Sequence, residues 1–149
     1  MMKAAVGVLN LSKEVNTIST IRTADHFGIR RVFVVGNVIG KGRSCINCHK
    51  KMLVRYFNTE EEFVQHIKNH GYKLILIEQA EQSVNIAKYQ FPANVVLMTG
   101  HENRGFSEYL LGEADSIVHI PNVGLVQCMN TAAAFAIGVY KYFEQRVIA

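Results

Sequence analysis

Residues 94–105 read Asn-Val-Val-Leu-Met-Thr-Gly-His-Glu-Asn-Arg-Gly. The run 94–99 is almost continuously apolar, which predicts a strand buried on both faces, as in a parallel sheet. Two glycines, Gly100 and Gly105, lie in the loop that follows. Glycines there let a ligand approach the backbone, and open parallel sheets bind ligands beyond the carboxyl ends of their strands. The stretch therefore predicts an α/β fold with a ligand site here, although it is not a dinucleotide fingerprint.

Predicted strands and helices alternate along the rest of the chain. Besides 94–99, short apolar runs predict strands at Lys3–Leu9, Arg31–Val35, Leu53–Phe57, Lys73–Ile77 and Ser116–Ile120. Apolar spacing and capping residues predict helices at Val15–Phe27, from Thr59 to about His70, near Ser83–Tyr89, after Ser107 and at Met129–Arg146. Without a repeat or a linker, residues 1–149 are expected to form one α/β domain, a parallel sheet flanked by helices.

A second strand-to-loop exit resembles the first. Ile120-Pro121-Asn122-Val123-Gly124 follows the predicted strand at 116–120. Two such exits in one sheet favour a pocket lined by backbone groups.

Charge is distributed unevenly along the chain. Residues 1–56 carry ten lysines and arginines against Glu14 and Asp25, a net charge of +8, whereas the remainder carries −4. A basic half suits a polyanion such as RNA, because each Lys or Arg at a phosphate releases condensed counterions. From charge alone, a solvated surface that maintains solubility is an equal alternative. The glycine-containing stretch 36–52 predicts a long loop, and loops of that length are usually functional.

Export and membrane insertion are not expected. No stretch reaches the roughly 20 apolar residues of a membrane-spanning helix, and the N-terminus does not resemble a signal peptide. A cytoplasmic chain with three reduced cysteines is the expectation. Cys45-Ile46-Asn47-Cys48-His49 matches a haem-attachment spacing, but haem attachment requires export and a zinc site needs further ligands. We interpret these as incidental thiols and expect no metal.

Two polar residues in the predicted helices have both ordinary and functional interpretations. Arg22 lies at a helical angle close to the apolar face, where an arginine is either paired, functional or extended to the surface. Asn130 lies at the start of the last helix, where a plain N-cap is the ordinary interpretation.

Three motifs together resemble the SpoU (TrmH-like) branch of the SPOUT methyltransferases over nearly the whole chain. The first runs from Asn16 through Arg22 to Phe27-Gly28; the second comprises Gly100, Glu102 and Gly105. The third comprises Ile120-Pro121, Gly124 and Cys128-Met129-Asn130. The chain departs from the family at Cys128, where Ser is usual, and at Asn122, where Met is frequent. It resembles the minimal type that consists of the catalytic domain alone.

The resemblance implies a fold, a reaction and an assembly. The C-terminal part would be threaded into a deep trefoil knot, and the protein would form a homodimer in which Arg22 of one subunit reaches toward the cofactor of the other. S-adenosylmethionine would donate a methyl group to a ribose 2′-hydroxyl of tRNA or rRNA. The cofactor-binding residues would be Ile77, Gly100, Ile120, Cys128, Met129 and Asn130.

The resemblance also implies catalytic residues, namely Arg22, Asn16, Glu102 and Asn130. Because the guanidinium pKa exceeds about 12, we favour Arg22 as an anchor for phosphate and a developing alkoxide over a role as base. RNA is expected to contact the basic residues Arg22, Lys41, Arg43, Lys50, Lys51 and Arg104. Alternatives are a non-catalytic RNA-binding module and a relative that methylates a base; an oxidoreductase would need the missing Gly-rich fingerprint.

Overall fold

A computed structural model of the protein describes residues 3–9, 14–36 and 51–148. In this part of the chain a seven-stranded sheet is flanked by helices on both faces. The strands are β1 Lys3–Leu9, β2 Arg31–Val35, β3 Leu53–Phe57, β4 Lys73–Ile77, β5 Val84–Asn85, β6 Asn94–Thr99 and β7 Ser116–His119. The helices are α1 Glu14–His26, α2 Glu60–Asn69, α3 Glu108–Glu113 and α4 Thr131–Phe143, the last continuing as a π-helical turn at Glu144–Ile148.

All strand pairs are parallel, and the strand order is β3-β2-β1-β6-β4-β7-β5. The chain builds outward from β1 through β2 to β3, and the later strands lie on the other side of β1. The order therefore reverses between β1 and β6. Ligands of open parallel sheets bind outside the carboxyl ends of the strands at such a reversal. The predicted parallel α/β sheet is confirmed.

Two apolar layers hold the sheet between its helices. Alternate side chains of the central strands, such as Val6 and Leu97, pack with α1 and α4 on one face. The intervening side chains, such as Val96 and Met98, pack with α2 and α3 on the other. Because the central strands are buried on both faces, they show continuous apolar runs rather than alternation.

Local capping determines where the helices begin. The hydroxyl of Thr59 accepts the Glu62 amide at 3.2 Å, which satisfies a free N–H at the start of α2. Asn130 Oδ1 accepts the amides of Ala132 and Ala133 at 2.9 and 3.1 Å. Helix α4 therefore begins at Thr131, two residues later than the sequence pattern predicts.

The helix predicted near Ser83–Tyr89 is wrong. Residues 84 and 85 form β5, which pairs with β7, and a single 3₁₀ turn follows at Ile86–Lys88. The Ser83 hydroxyl and the Asn85 side chain bond to nearby backbone groups instead, a competition that disfavours helix at these residue types.

The described residues contain no helix that is long and apolar enough to cross a membrane. Within the same residues, no group of three or more His, Cys, Asp or Glu side chains is arranged to hold a metal ion. The Cys45-to-His49 motif lies outside the described residues.

Candidate active site

Three strands end side by side at the carboxyl edge of the sheet. Ile77 of β4 is in register with Thr99 of β6 on one side and with Val118 of β7 on the other. The segments that follow begin at Glu78, Gly100 and Ile120, and they therefore leave the sheet at nearly the same level. The two strand exits identified in the sequence lie in one place, with the β4 exit between them.

A chain of hydrogen bonds joins residues from three distant parts of the sequence at this edge. Asn16, near the start of α1, donates from Nδ2 to Glu102 Oε1 at 2.8 Å. Asn130 donates from Nδ2 to Asn16 Oδ1 at 3.1 Å. Because Asn16 belongs to the segment after β1 and Glu102 to the loop after β6, the first bond crosses the point where the strand order reverses.

Burial and backbone bonds strengthen this network. Asn16 is only 5% exposed, so its amide depends on these partners for its hydrogen bonds. Asn130 uses its oxygen to cap α4 and its nitrogen to reach Asn16, so the capping interpretation is confirmed and the same side chain is also part of the network. Next to it, the Thr131 hydroxyl donates to the Gly100 carbonyl at 3.0 Å, which ties the start of α4 to the loop after β6.

The loop after β6 is a tight hairpin. His101 and Gly105 exchange two backbone hydrogen bonds, with N–O distances of 3.1 and 2.8 Å. Gly105 has a φ of +62°, a conformation that side chains other than glycine rarely adopt. The hairpin places Glu102 toward Asn16, while Arg104 is exposed at its tip.

Between β4 and the loop after β7 lies a cleft of about 340 Å³. No Asp, Glu, Lys or Arg side chain lines it, and its lining includes the hydrogen-bonding groups of Gln79, His119, Asn122 and Gln127. The Ser83 hydroxyl lies 2.9 Å from His119 Nδ1 and thereby connects the β4 and β7 exits. A larger cleft, of about 570 Å³, lies at the opposite, amino edge of the sheet and does not touch the polar network.

Family comparison identifies this arrangement of loops. Residues 3–140 match the SpoU rRNA Methylase family. This chain belongs to the SpoU rRNA methylase family. It is similar to the tRNA (guanosine(18)-2'-O)-methyltransferase of Escherichia coli (strain K12), with 25% identity over 134 residues. That match covers 88% of this chain and 58% of the relative, so the chain spans little more than half of the relative's length.

Two solved structures have the same fold. The Aquifex aeolicus TrmH/SpoU tRNA modifying enzyme superposes with a TM-score of 0.86 at 23% identity, covering 98% of this chain and 76% of that one. An AdoMet-bound rRNA methyltransferase from Sinorhizobium meliloti gives 0.82 at 20% identity, covering 99% and 57%. These likenesses establish the fold of this SpoU family member.

The structure brings together three of the four residues that the family motifs suggest as catalytic. Arg22 is the exception, since it lies six residues after Asn16, about 9 Å further along α1 and about 120° around it. The expectation that Arg22 lies near the apolar face is wrong: the core-facing positions are taken by Ile21 and Ala24, and Arg22 is exposed. No hydrogen bond or ion pair joins it to any other described residue.

The residues expected at the SpoU cofactor loops lie at this edge but differ in exposure. The Ile77 side chain is buried against α4, so only its backbone is available to a ligand. Ile120 is half-buried against the core, whereas Cys128 and Met129 belong to segment 121–130, whose residues are all exposed. Of the expected RNA-binding residues, Lys51 and Arg104 are exposed; Lys41, Arg43 and Lys50 lie outside the described residues.

The sequence motifs assigned no role to two polar residues of the site. Thr131 holds Gly100 through its hydroxyl, and Glu78 lies against the hairpin after β6. A detectable signal exists for Glu78, because a charged residue directly follows a buried strand at the edge where ligands bind.

Proposed function

We propose that this chain transfers a methyl group from S-adenosylmethionine to a ribose 2′-hydroxyl of RNA. The observation that carries the proposal is the hydrogen-bonded chain Glu102–Asn16–Asn130 at the point where the strand order reverses. These are the polar residues that the SpoU motifs have in common, and the E. coli relative is named for the same reaction on tRNA. We further propose that residues 1–149 form one methyltransferase domain.

The residues present fit a bent nucleoside cofactor. The cleft of about 340 Å³ lies within the size range of small-molecule sites and has side chains that donate and accept hydrogen bonds. The backbone at Ile77, Gly100 and Ile120 surrounds the same edge, with Cys128, Met129 and Asn130 contributed by the loop that enters α4. When bound, S-adenosylmethionine would supply an electrophilic methyl group on its sulfonium.

The side chains of the site divide the remaining work. Asn16 and Asn130 hold the Glu102 carboxylate in one orientation, so that it is already positioned when the acceptor ribose arrives. Arg22, with its permanent positive charge, anchors the neighbouring phosphate and stabilises the oxygen as its proton is lost. The exposed Arg104 and Lys51, with Lys41, Arg43 and Lys50, bind the RNA backbone.

A methylation assay tests the reaction. Unmodified tRNA and rRNA transcripts are incubated with labelled S-adenosylmethionine and digested to nucleosides for mass spectrometry. We expect 2′-O-methylated nucleosides from the wild-type chain and a yield at least about 100-fold lower from Arg22→Ala. Methyl groups on bases instead would identify a base methyltransferase, and RNA binding without cofactor binding would identify a non-catalytic module; either result would refute the proposal.

We also propose that the active unit is a homodimer in which Arg22 completes the site of its partner. Arg22 cannot belong to the network of its own chain, because it lies on another side of α1. The segment 121–130 and the outer side of α4 expose several large apolar side chains, an arrangement typical of an interaction surface. These are Val123, Leu125, Val126, Met129, Ile137 and Tyr140.

Subunit mixing tests the shared site. Arg22→Ala and Glu102→Gln chains, each inactive alone, are co-expressed with different tags. Half of the dimers would be mixed, and each mixed dimer would contain one intact site of two, so about a quarter of wild-type activity should return. No recovery, in preparations shown by light scattering to be dimers, would contradict sharing between subunits.

The trefoil knot remains a proposal based on the family resemblance. The segment after β7 returns across β4 to the β6 exit, where Thr131 bonds to Gly100. This path is compatible with threading of the C-terminal part. A crystal structure that traces the loops continuously would test it.

A further inference from the structure

Glu78 occupies the centre of the carboxyl edge. It directly follows β4, which lies between β6 and β7 in the sheet. Its amide donates to the Val118 carbonyl at 2.9 Å, which extends the β4–β7 pairing by one residue. Its Oε1 accepts the Gln79 amide at 3.0 Å. Both ends of this residue are therefore restrained, and its carboxylate has a defined direction.

The other carboxylate oxygen lies against the hairpin after β6. A β-carbon built on Gly100 would lie 3.0 Å from Glu78 Oε2, and one built on Gly105 would lie at the same distance. Both distances are tighter than ordinary contacts of real side chains. The two family glycines thus leave room for one carboxylate at the base of the hairpin.

Residues outside the β4 exit also hold the hairpin. The Gly100 carbonyl accepts the Thr131 hydroxyl at the start of α4, and Glu102, two residues further on, accepts from Asn16. Gly100 is therefore next to both Glu78 of the β4 exit and Thr131 of the α4 entry. A displacement at Glu78 would move both the Gly100 backbone and the Glu102 carboxylate.

We propose that Glu78 is a positioning residue of the active site, which acts by holding the Gly100–Gly105 hairpin in the conformation that meets the cofactor. The inference rests on the proposed function for its link to S-adenosylmethionine. The contact is one of shape: an isosteric glutamine retains an acceptor for the Gln79 amide and fills the same space, whereas alanine leaves the hairpin without support.

Three variants test the role in the full-length chain. Glu78→Ala should raise the Kd for S-adenosylmethionine about tenfold, the scale typical of residues that orient a binding group. Glu78→Gln should restore binding to near the wild-type value. Glu81→Ala removes an exposed carboxylate three residues away and should change nothing. RNA affinity and Tm should be nearly equal in all four proteins, which separates positioning from general destabilisation.

A second measurement does not depend on the cofactor. The backbone amides of His101 and Gly105 donate the two hydrogen bonds that close the hairpin. Their hydrogen-exchange rates should be higher in Glu78→Ala and unchanged in Glu78→Gln and Glu81→Ala. An unchanged exchange rate in Glu78→Ala, or a glutamine variant as impaired as alanine, would overturn the inference. If wild-type protein binds no S-adenosylmethionine, the proposed function fails, and the exchange data still decide whether Glu78 holds the hairpin.

Discussion

Two positions on α1 lie in opposite surroundings. Near its start, Asn16 is 5% exposed and bonded to both Glu102 and Asn130. Two turns later, Arg22 is exposed and makes no hydrogen bond or ion pair within the described part of the chain. The fold itself assembles Asn16, Glu102 and Asn130, which we call the buried half of the candidate site. Arg22 and the exposed segment 121–129 face outward, and we call them the exposed half. Substitutions in the first half should affect stability and activity together, and substitutions in the second half activity alone.

The largest effect is expected at the exposed half. Arg22→Ala should reduce methyl transfer about 100- to 1000-fold, the loss seen when one charge-stabilising donor is removed from a transition state. Because Arg22 has no partner among the described residues, Tm and the Kd for S-adenosylmethionine should not change. Arg30→Ala, at an arginine whose side chain is 65% exposed just beyond α1, serves as the control in a single-turnover assay. Near-normal turnover of Arg22→Ala would remove it from the site.

The buried half should respond differently. Asn16→Asp places a carboxylate next to Glu102 and removes the donor between them, which should lower the free energy of unfolding by about 2–4 kcal/mol. Activity should fall in the same variant. Asn85→Asp is the matched control, because Asn85 accepts the Ala87 amide through its side-chain oxygen, which aspartate retains. Urea unfolding compares the stability of the two variants with that of the wild-type protein. A stable but inactive Asn16→Asp protein would show that the network is catalytic without being structural.

Packing beneath the site gives an intermediate effect. A β-carbon at Gly138 of α4 would lie 2.2 Å from Ile77 Cδ1, directly under the β4 exit. Gly138→Ala should therefore cost about 1–3 kcal/mol through overpacking. Gly112→Ala, in α3, meets nothing within 4 Å and should instead stabilise by about 0.5–1 kcal/mol. Equal unfolding midpoints for the two variants would show that Ile77 rearranges freely, and that the β4 exit is less rigid than the structure indicates.

These cases show what the sequence could predict. Thr59 and Asn130 act on amides two or three residues away, so local pattern predicted their capping roles, and the apolar runs predicted all the major strands. The Asn16–Glu102 bond spans 86 positions, and only the family resemblance suggested that these residues act together. The exposure of Arg22 and the contact of Glu78 with two glycines depend on how whole elements pack. No local pattern encodes such contacts.

His66 of α2, which belongs to neither half of the candidate site, should make the stability of the protein depend on pH. Burial lowers the pKa of His66 from its ordinary value of 6.5, and the positive charges of Arg55, His70 and Lys3 lower it further. The unfolded chain therefore binds a proton more readily than the folded one, so stability present above pH 6.5 is lost as pH falls toward the lower folded pKa. The Tm of wild-type protein should fall more between about pH 7 and 5 than that of His66→Gln. Parallel curves would exclude His66 as the cause.

The smallest effect is expected at Cys128, in the exposed half. Serine has nearly the same size and donates a stronger hydrogen bond than a thiol. Because the loop from 121 to 130 is exposed, Cys128→Ser should leave Tm unchanged and alter turnover by no more than about threefold, with an increase expected if the family serine contacts ribose. A tenfold or larger loss, on the order expected for a lost catalytic contact, would give the thiol its own function. It would also show that the exposed half, like the buried one, contains a residue whose role depends on a specific partner.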